Sequence, residues 1–310
     1  MFELTFLGTA ATMPSAERGL PALLVAAGSE RYLVDCGEGA QRQLLRAGLG
    51  FRRLSHVLLT HAHLDHVLGL AGLLSTLRLL DLDGEMTICG STQAIAIVER
   101  FLAGLWGERQ APVPLRLVTL EPGPVLETRD YRISCFPVRH GRMQSLGYRF
   151  DTVARRHLRA DLLAAHAVPP GPLRSRLAAG ETVELPDGRR IAPAMVAGPA
   201  AAGASLAVVG DTEEVETLLN AVRGTDALVI EATFLDQDAR LAAERNHLTA
   251  TAAGRLAAAA AAGALYLQHI SGRYEAAAVA AEAARHFPNV RVMNDFDRVQ
   301  VTGRARTPPD

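Results

Sequence analysis

Apolar positions in this chain fall into short, strand-length runs, separated by segments with helical spacing. Residues 3–8, 20–27 and 31–36 are apolar runs broken at Gly8-Thr-Ala and Gly28-Ser-Glu, which predicts a β meander. Residues 40–47 read as an amphipathic helix, 57–59 as a short buried strand closed by Thr60, and 67–74 as a packed helix. Strands are predicted again at 86–89, 115–120, 131–138 and 145–150, with a helix over 92–105. After residue 205 the pattern resumes with three apolar strands, which lead to Asp211, Glu231 and His269, and with alanine-rich helices and closing strands at 290–294 and 299–302. Strands alternating with helices in this way predict an α/β fold.

Residues 152–199 break the pattern with clustered arginine, proline and glycine, including Val168-Pro-Pro-Gly-Pro-Leu173. No sheet is expected there, and the segment reads as an arm or insertion standing off the core. A length of 310 residues and 49% hydrophobic content suit one large domain, residues 1–310, carrying that arm at about 152–199. No apolar stretch reaches membrane-spanning length. The first eight residues carry Glu3 and no basic region, which argues against a signal peptide and predicts a cytoplasmic protein. Cys36, Cys89 and Cys135 are too few and scattered for a disulfide framework, and read as reduced core residues. A net charge of −1 gives no general attraction to polyanions, so any such contact must come from a local patch. The arm offers one: Arg155, Arg156, Arg159, Arg174, Arg176, Arg189 and Arg190 outnumber its acids. The chain has no lysine, and arginine's planar fork matches phosphate.

The chemistry concentrates in Val57-Leu-Leu-Thr-His-Ala-His-Leu-Asp-His66, a predicted strand-to-helix turn. His61 and His63, two apart in extended backbone, point the same way, while Asp65 and His66 lie where the chain bends into the helix and face a second point. Imidazoles with a carboxylate select zinc or a similar ion, and four donors on one turn suit two ions that take further ligands from elsewhere. Asp35, His140, Asp211, Glu231 and His269 also stand at or just past the ends of apolar strands, the edge where α/β folds build active sites. Asp35 is either a carboxylate orienting a ligand or its loop, or a turn residue before Gly37. His56, placed before the strand, His157 and His166 in the arm, and His286 after an alanine-rich helix are assigned to no site.

Taken with the flanking motifs, this set resembles the ribonuclease Z family of the metallo-β-lactamase superfamily. The resemblance rests on Phe6-Leu-Gly-Thr-Ala with Pro14 and Arg18, Val34-Asp-Cys-Gly-Glu-Gly, Ser145-Leu-Gly-Tyr-Arg149, Gly210-Asp-Thr212, Glu231-Ala-Thr-Phe234 and His269-Ile-Ser271. Pro169-Pro-Gly-Pro-Leu173 with Gly180 is similar to the glycine-proline element of that family's tRNA-binding arm. The pattern departs at Ile230, where the family has histidine, and at Leu248, where it has serine or threonine.

The resemblance implies a four-layer αββα metallo-β-lactamase sandwich with an inserted substrate-binding arm. It implies a zinc-dependent endoribonuclease that cuts precursor tRNA 3′ of the acceptor stem, working as a homodimer with two zinc ions per subunit. His61, His63, His140 and Asp211 would bind one ion, and Asp65, His66, Asp211 and His269 the other. Asp65, His247 and Glu231 would be catalytic, His247 supplying a proton and Glu231 supporting it. Arg273 either meets substrate phosphate or lies free at the surface. The alternative on the same fold is hydrolysis of a small phosphodiester, lactone or sulfate ester.

Overall fold

A computed structural model describes residues 1–81, 84–107, 113–153, 156–200 and 203–304. The chain divides into two compact units, residues 1–152 with 204–302, and residues 153–203 with the tail from 303.

In the larger unit, strands β1 (Phe2–Gly8), β2 (Ala22–Ala27) and β3 (Glu30–Val34) form the expected meander. Strands β4 (Leu54–Leu58), β5 (Met86–Gly90) and β6 (Leu115–Thr119) extend it in parallel. The next three strands, β7 (Gly123–Glu127), β8 (Tyr131–His140) and β9 (Met143–Thr152), are antiparallel and open a second sheet. Strand β7 was not expected from sequence, because Gly123-Pro124 reads as a turn; Pro124 is accommodated because β7 is an edge strand, where a missing N–H costs no ladder bond.

The smaller unit follows. It contains β10 (Arg156–Leu158), β11 (Val183–Glu184), β12 (Arg190–Ile191) and β13 (Ala197–Ala200), paired β10 with β13 and β11 with β12. Helices at Ala160–Ala165, Pro172–Ala178 and Pro193–Val196 complete it. Leu163, Val168, Leu177, Val183, Leu185, Ile191 and Val196 bury against one another as a core of its own. The expectation of a sheetless segment is therefore corrected: seven scattered apolar residues suffice for a small core, but their irregular spacing hides it in the sequence.

The chain returns through β14 (Ser205–Val208), β15 (Ala227–Glu231), β16 (Ala264–Gln268) and β17 (Val290–Val292), parallel to one another, and β18 (Arg298–Val301) joins the first sheet beside β1. The sheets run β18-β1-β2-β3-β4-β5-β6 and β17-β16-β15-β14-β9-β8-β7. Their inner faces meet through Phe2, Phe6 and Tyr32 from one and Tyr148, Phe150 and Val229 from the other. The helices at Ala40–Arg46, Gly69–Leu79 and Thr92–Trp106 cover the first sheet's outer face. Those at Ala250–Ala259 and Ala276–Ala284 cover the second's. Two inner sheets between two outer helix layers give the αββα sandwich. All three cysteines are buried and free.

Candidate metal centre

Parallel strands whose carboxyl ends share an edge deliver their side chains to one place. His61, His63, Asp65 and His66 follow β4, His140 ends β8, Asp211 lies just past β14, Glu231 ends β15 and His269 follows β16. Asp35 and His269 have φ of 59° and 56°, left-handed conformations that turn the chain sharply at the strand ends. Gly210 is required by close packing, since a Cβ there would stand 2.7 Å from Thr60 Oγ1.

Four histidines are anchored through Nδ1. His66 Nδ1 donates to Asp35 Oδ2 at 2.8 Å, and His140 Nδ1 donates to the Asn246 carbonyl at 2.8 Å. Thr60 Oγ1 gives its proton to Asp35 Oδ2, so it accepts from His61 Nδ1, 3.0 Å away. Thr233 Oγ1 gives its proton to Glu231 Oε2 and likewise accepts from His269 Nδ1 at 2.9 Å. Nδ1 carries a proton in each ring, and Nε2 is the atom turned to the centre. Asp211 stands among them: Oδ2 is 3.4 Å from His66 Nε2, 3.7 Å from His61 Nε2 and 3.9 Å from His140 Nε2, and Oδ1 is 3.4 Å from His269 Nε2. His63 Nδ1 lies 2.9 Å from His61 Nε2 and 3.2 Å from His140 Nε2. Asp65 Oδ2 is 3.7 Å from both His66 Nε2 and His269 Nε2.

These residues fit metal ions. The ligand atoms of His61, His63, His140 and Asp211 lie within 4.8 Å of one another, as do those of Asp65, His66 and His269. His66 Nε2, His269 Nε2 and Asp211 Oδ1 are buried without a hydrogen-bond partner. Leaving such atoms unsatisfied is costly, and a cation among them satisfies all three. The electrostatics agree. Burial, reinforced by the charge of His66, pushes His61 well below its ordinary pKa, and burial lowers His63, so both rings offer lone pairs. Burial also opposes charge on His66, yet Asp211 and Asp35 raise it well above its ordinary value, so without a metal the cage draws in a proton. Burial works against the carboxylate of Asp211, but His269 and His66 hold it well below the usual range.

Against the cage stands a further pair, and a ligand-type atom of His247 lies within 4.8 Å of those of Asp211 and His269. His247 Nδ1 donates to Glu231 Oε1 at 2.9 Å. Glu231 is fully buried and also accepts from the Thr212 and Leu248 amides and from Thr233 Oγ1. Both departures from the family pattern are accounted for here. Ile230 packs in the outer helix-covered core, on the strand face opposite Glu231, and Leu248 buries its side chain there while its amide holds Glu231. His247 is not at a helix start: it lies between the helix Ala239–Arg245 and the helix Ala250–Ala259, which Thr249 caps.

Asp35 makes the orienting contacts through His66 and Thr60. Thr60, Thr233 and the Asn246 carbonyl carry no ligand-type signature in the sequence. The first two stand beside or near ligand-type residues, and a carbonyl leaves no sequence signal. His56 sits inside β4, not before it, its ring tilted by 38° against that of Tyr32. His166 caps the helix Ala160–Ala165 and His286 follows Ala276–Ala284, and neither belongs to a metal-ligand group among the described residues; the side chain of His157 lies outside the described residues.

The cage opens into a cleft of about 620 Å³ whose lining includes His63, Asp65, His140, Asp211 and His247. A family model described as Anti-Pycsar protein Apyc1 matches residues 2–161, about half the chain. Ribonuclease Z of Bradyrhizobium diazoefficiens is 55% identical over 301 residues, covering 97% of this chain and 100% of that protein. Ribonuclease Z of Archaeoglobus fulgidus is 35% identical over 306 residues, covering 97% and 98%. Among solved structures, human tRNase Z, short form, superposes with a TM-score of 0.67 at 22% identity, covering 96% of this chain and 98% of that one. The metallo-β-lactamase fold protein YhfI from Bacillus subtilis superposes equally well, at 0.67 and 17%. With the sandwich, its strand-end cage and relatives of this identity along nearly its full length, the chain belongs to the ribonuclease Z family.

Proposed function

We propose that this chain is a zinc endoribonuclease that matures precursor-tRNA 3′ ends, with two ions per subunit. His61, His63, His140 and Asp211 hold one ion, and Asp65, His66, Asp211 and His269 the other. When bound, two such ions activate water and neutralise charge on the phosphoryl oxygens. The protein's own groups do the rest. Burial opposes charge on Asp65, but His269 and His66 hold its carboxyl below the usual range, so it accepts a hydrogen bond from the attacking water and orients it. As the water oxygen bonds to phosphorus it gives up a proton to solvent, the bond to ribose O3′ breaks, and the leaving O3′ takes a proton from His247 Nε2, which solvent then restores. In the metal-free chain burial lowers the basicity of His247, but Glu231 outweighs it and raises the pKa to about 9, and the Nδ1 bond to Glu231 leaves Nε2 as the atom that hands over the proton. The products are tRNA with a 3′-hydroxyl and a 5′-phosphorylated trailer.

The smaller unit serves as the arm that grips tRNA by shape and phosphate. Its described arginines are mostly engaged: Arg159 with Asp161, Arg176 with Glu181, Arg189 with Asp187, and Arg174 with the Val168 and Pro169 carbonyls. Arg155 and the side chain of Arg156 lie outside the described residues. Exposed pairs of this kind are weak and exchange a carboxylate for a phosphate at little cost. The same proposal includes a cytoplasmic homodimer in which one protomer's arm serves its partner's site.

The observation that carries this reading is the convergence of four Nδ1-anchored imidazoles on Asp211 with the His247–Glu231 pair set against them. Incubating the purified protein with a 3′-extended tRNA, with and without chelator, tests it. A single chelator-sensitive cut leaving a 3′-hydroxyl is expected. Turnover of small diesters, lactones or sulfate esters only would favour the alternative.

A further inference from the structure

Two clefts meet at His247. One holds the cage residues His63, Asp65, His140 and Asp211; the other, of about 570 Å³, holds none of the cage residues and is walled by Met13, Phe234, Leu241, Arg245 and Arg273. His247, Thr12 and Arg245 line both. The guanidinium groups of Arg245 and Arg273 are exposed and make no ion pair or side-chain hydrogen bond among the described residues. The same is true of Arg142, which lines only the cage cleft.

We infer that the two clefts receive the two sides of the scissile bond, and that the Phe234 cleft binds the last nucleotide of the mature tRNA. The inference rests on the function proposed above. In that reaction the phosphorus stays with the trailer, at the cage, while O3′ departs toward the group that protonates it. The nucleotide bearing O3′ must then extend past His247, away from the cage, and the Phe234 cleft is the space on that side. Its chemistry suits a nucleotide: Met13, Leu241 and the small exposed part of the otherwise buried Phe234 present apolar surface to a base, and the Arg273 guanidinium, with that of Arg245 at the boundary, presents a fork to the phosphate on its 5′ side. The cage cleft, with Arg142 as its own free fork, takes the first trailer nucleotides. Arg273 thus serves the tRNA side and Arg142 the trailer side, while Arg245, which lines both clefts, stands at their boundary.

The test measures binding of the metal-loaded protein to two labelled products, mature tRNA with a 3′-hydroxyl and 5′-phosphorylated trailer. Loss of one charged fork costs roughly tenfold in affinity. Arg273→Ala is expected to weaken mature tRNA by about that factor and to leave trailer binding unaltered, with Arg273→Lys recovering part of the loss. Arg142→Ala is expected to do the reverse. Equal effects on both products, the opposite pairing, or no effect of Arg273→Ala on either overturns the assignment. Should wild-type protein bind neither product and cut no precursor tRNA, the proposed function fails and not merely the division of clefts.

Discussion

The cage and the arm use charge in opposite ways. In the cage, the ligand-type residues from positions 61 to 269 are buried except for His63, and three of the four anchoring bonds join distant parts of the chain: Asp35 after β3 holds His66 after β4, Thr233 after β15 holds His269 after β16, and Asn246 holds His140 across 106 residues. In the arm, charged partners are two or five residues apart in sequence and lie at the surface. The contrast teaches that the first region is preorganised for ions of fixed geometry, whereas the second is able to trade partners with a flexible polyanion.

The largest expected effect breaks the cage at its centre. Asp211→Asn removes the carboxylate that the proposed function assigns to both ions, and cleavage should fall by ~10³-fold or more, measured as single-turnover rate on precursor tRNA. Next, deleting residues 155–195 should abolish tRNA cleavage while hydrolysis of a small chromogenic diester persists; equal loss of both would erase the distinction between the two regions. His247→Ala should slow tRNA cleavage by roughly 10²- to 10⁴-fold but affect a p-nitrophenyl ester far less, because a good leaving group needs no proton. Asp35→Asn leaves the ligands in place but disturbs His66, and metal affinity measured by competition with a chromogenic chelator should drop by about 10- to 100-fold. The smallest effect belongs to the arm: Glu181→Ala should change stability by less than about 1 kcal/mol, because its pair with Arg176 is exposed, and should strengthen tRNA binding a few-fold at low salt.

The same contrast explains what the sequence disclosed. Ligand-type residues such as His61, His63, Asp65 and His66 are dense and stand at a strand end, so the cage was legible from residue type and spacing. The Nδ1 anchors were not, because Thr60 and Thr233 are ordinary strand-end residues until the fold places them under a ring, and the Asn246 carbonyl has no side-chain signature. The arm's positive charge was legible, but its pairing was not: Arg159 with Asp161 requires a particular local turn, and the small core around Leu163 and Ile191 follows neither a two-residue nor a helical period. Edge strand β7 was hidden by Pro124, a residue that signals a turn unless its edge position is known.

Whether the cage holds a pair of ions is read from the metal content of the purified protein, measured by mass spectrometry after zinc loading and removal of excess metal. Two equivalents per chain in the wild type, falling below two in Asp211→Asn, is the predicted result. One equivalent or none in the wild type would contradict it.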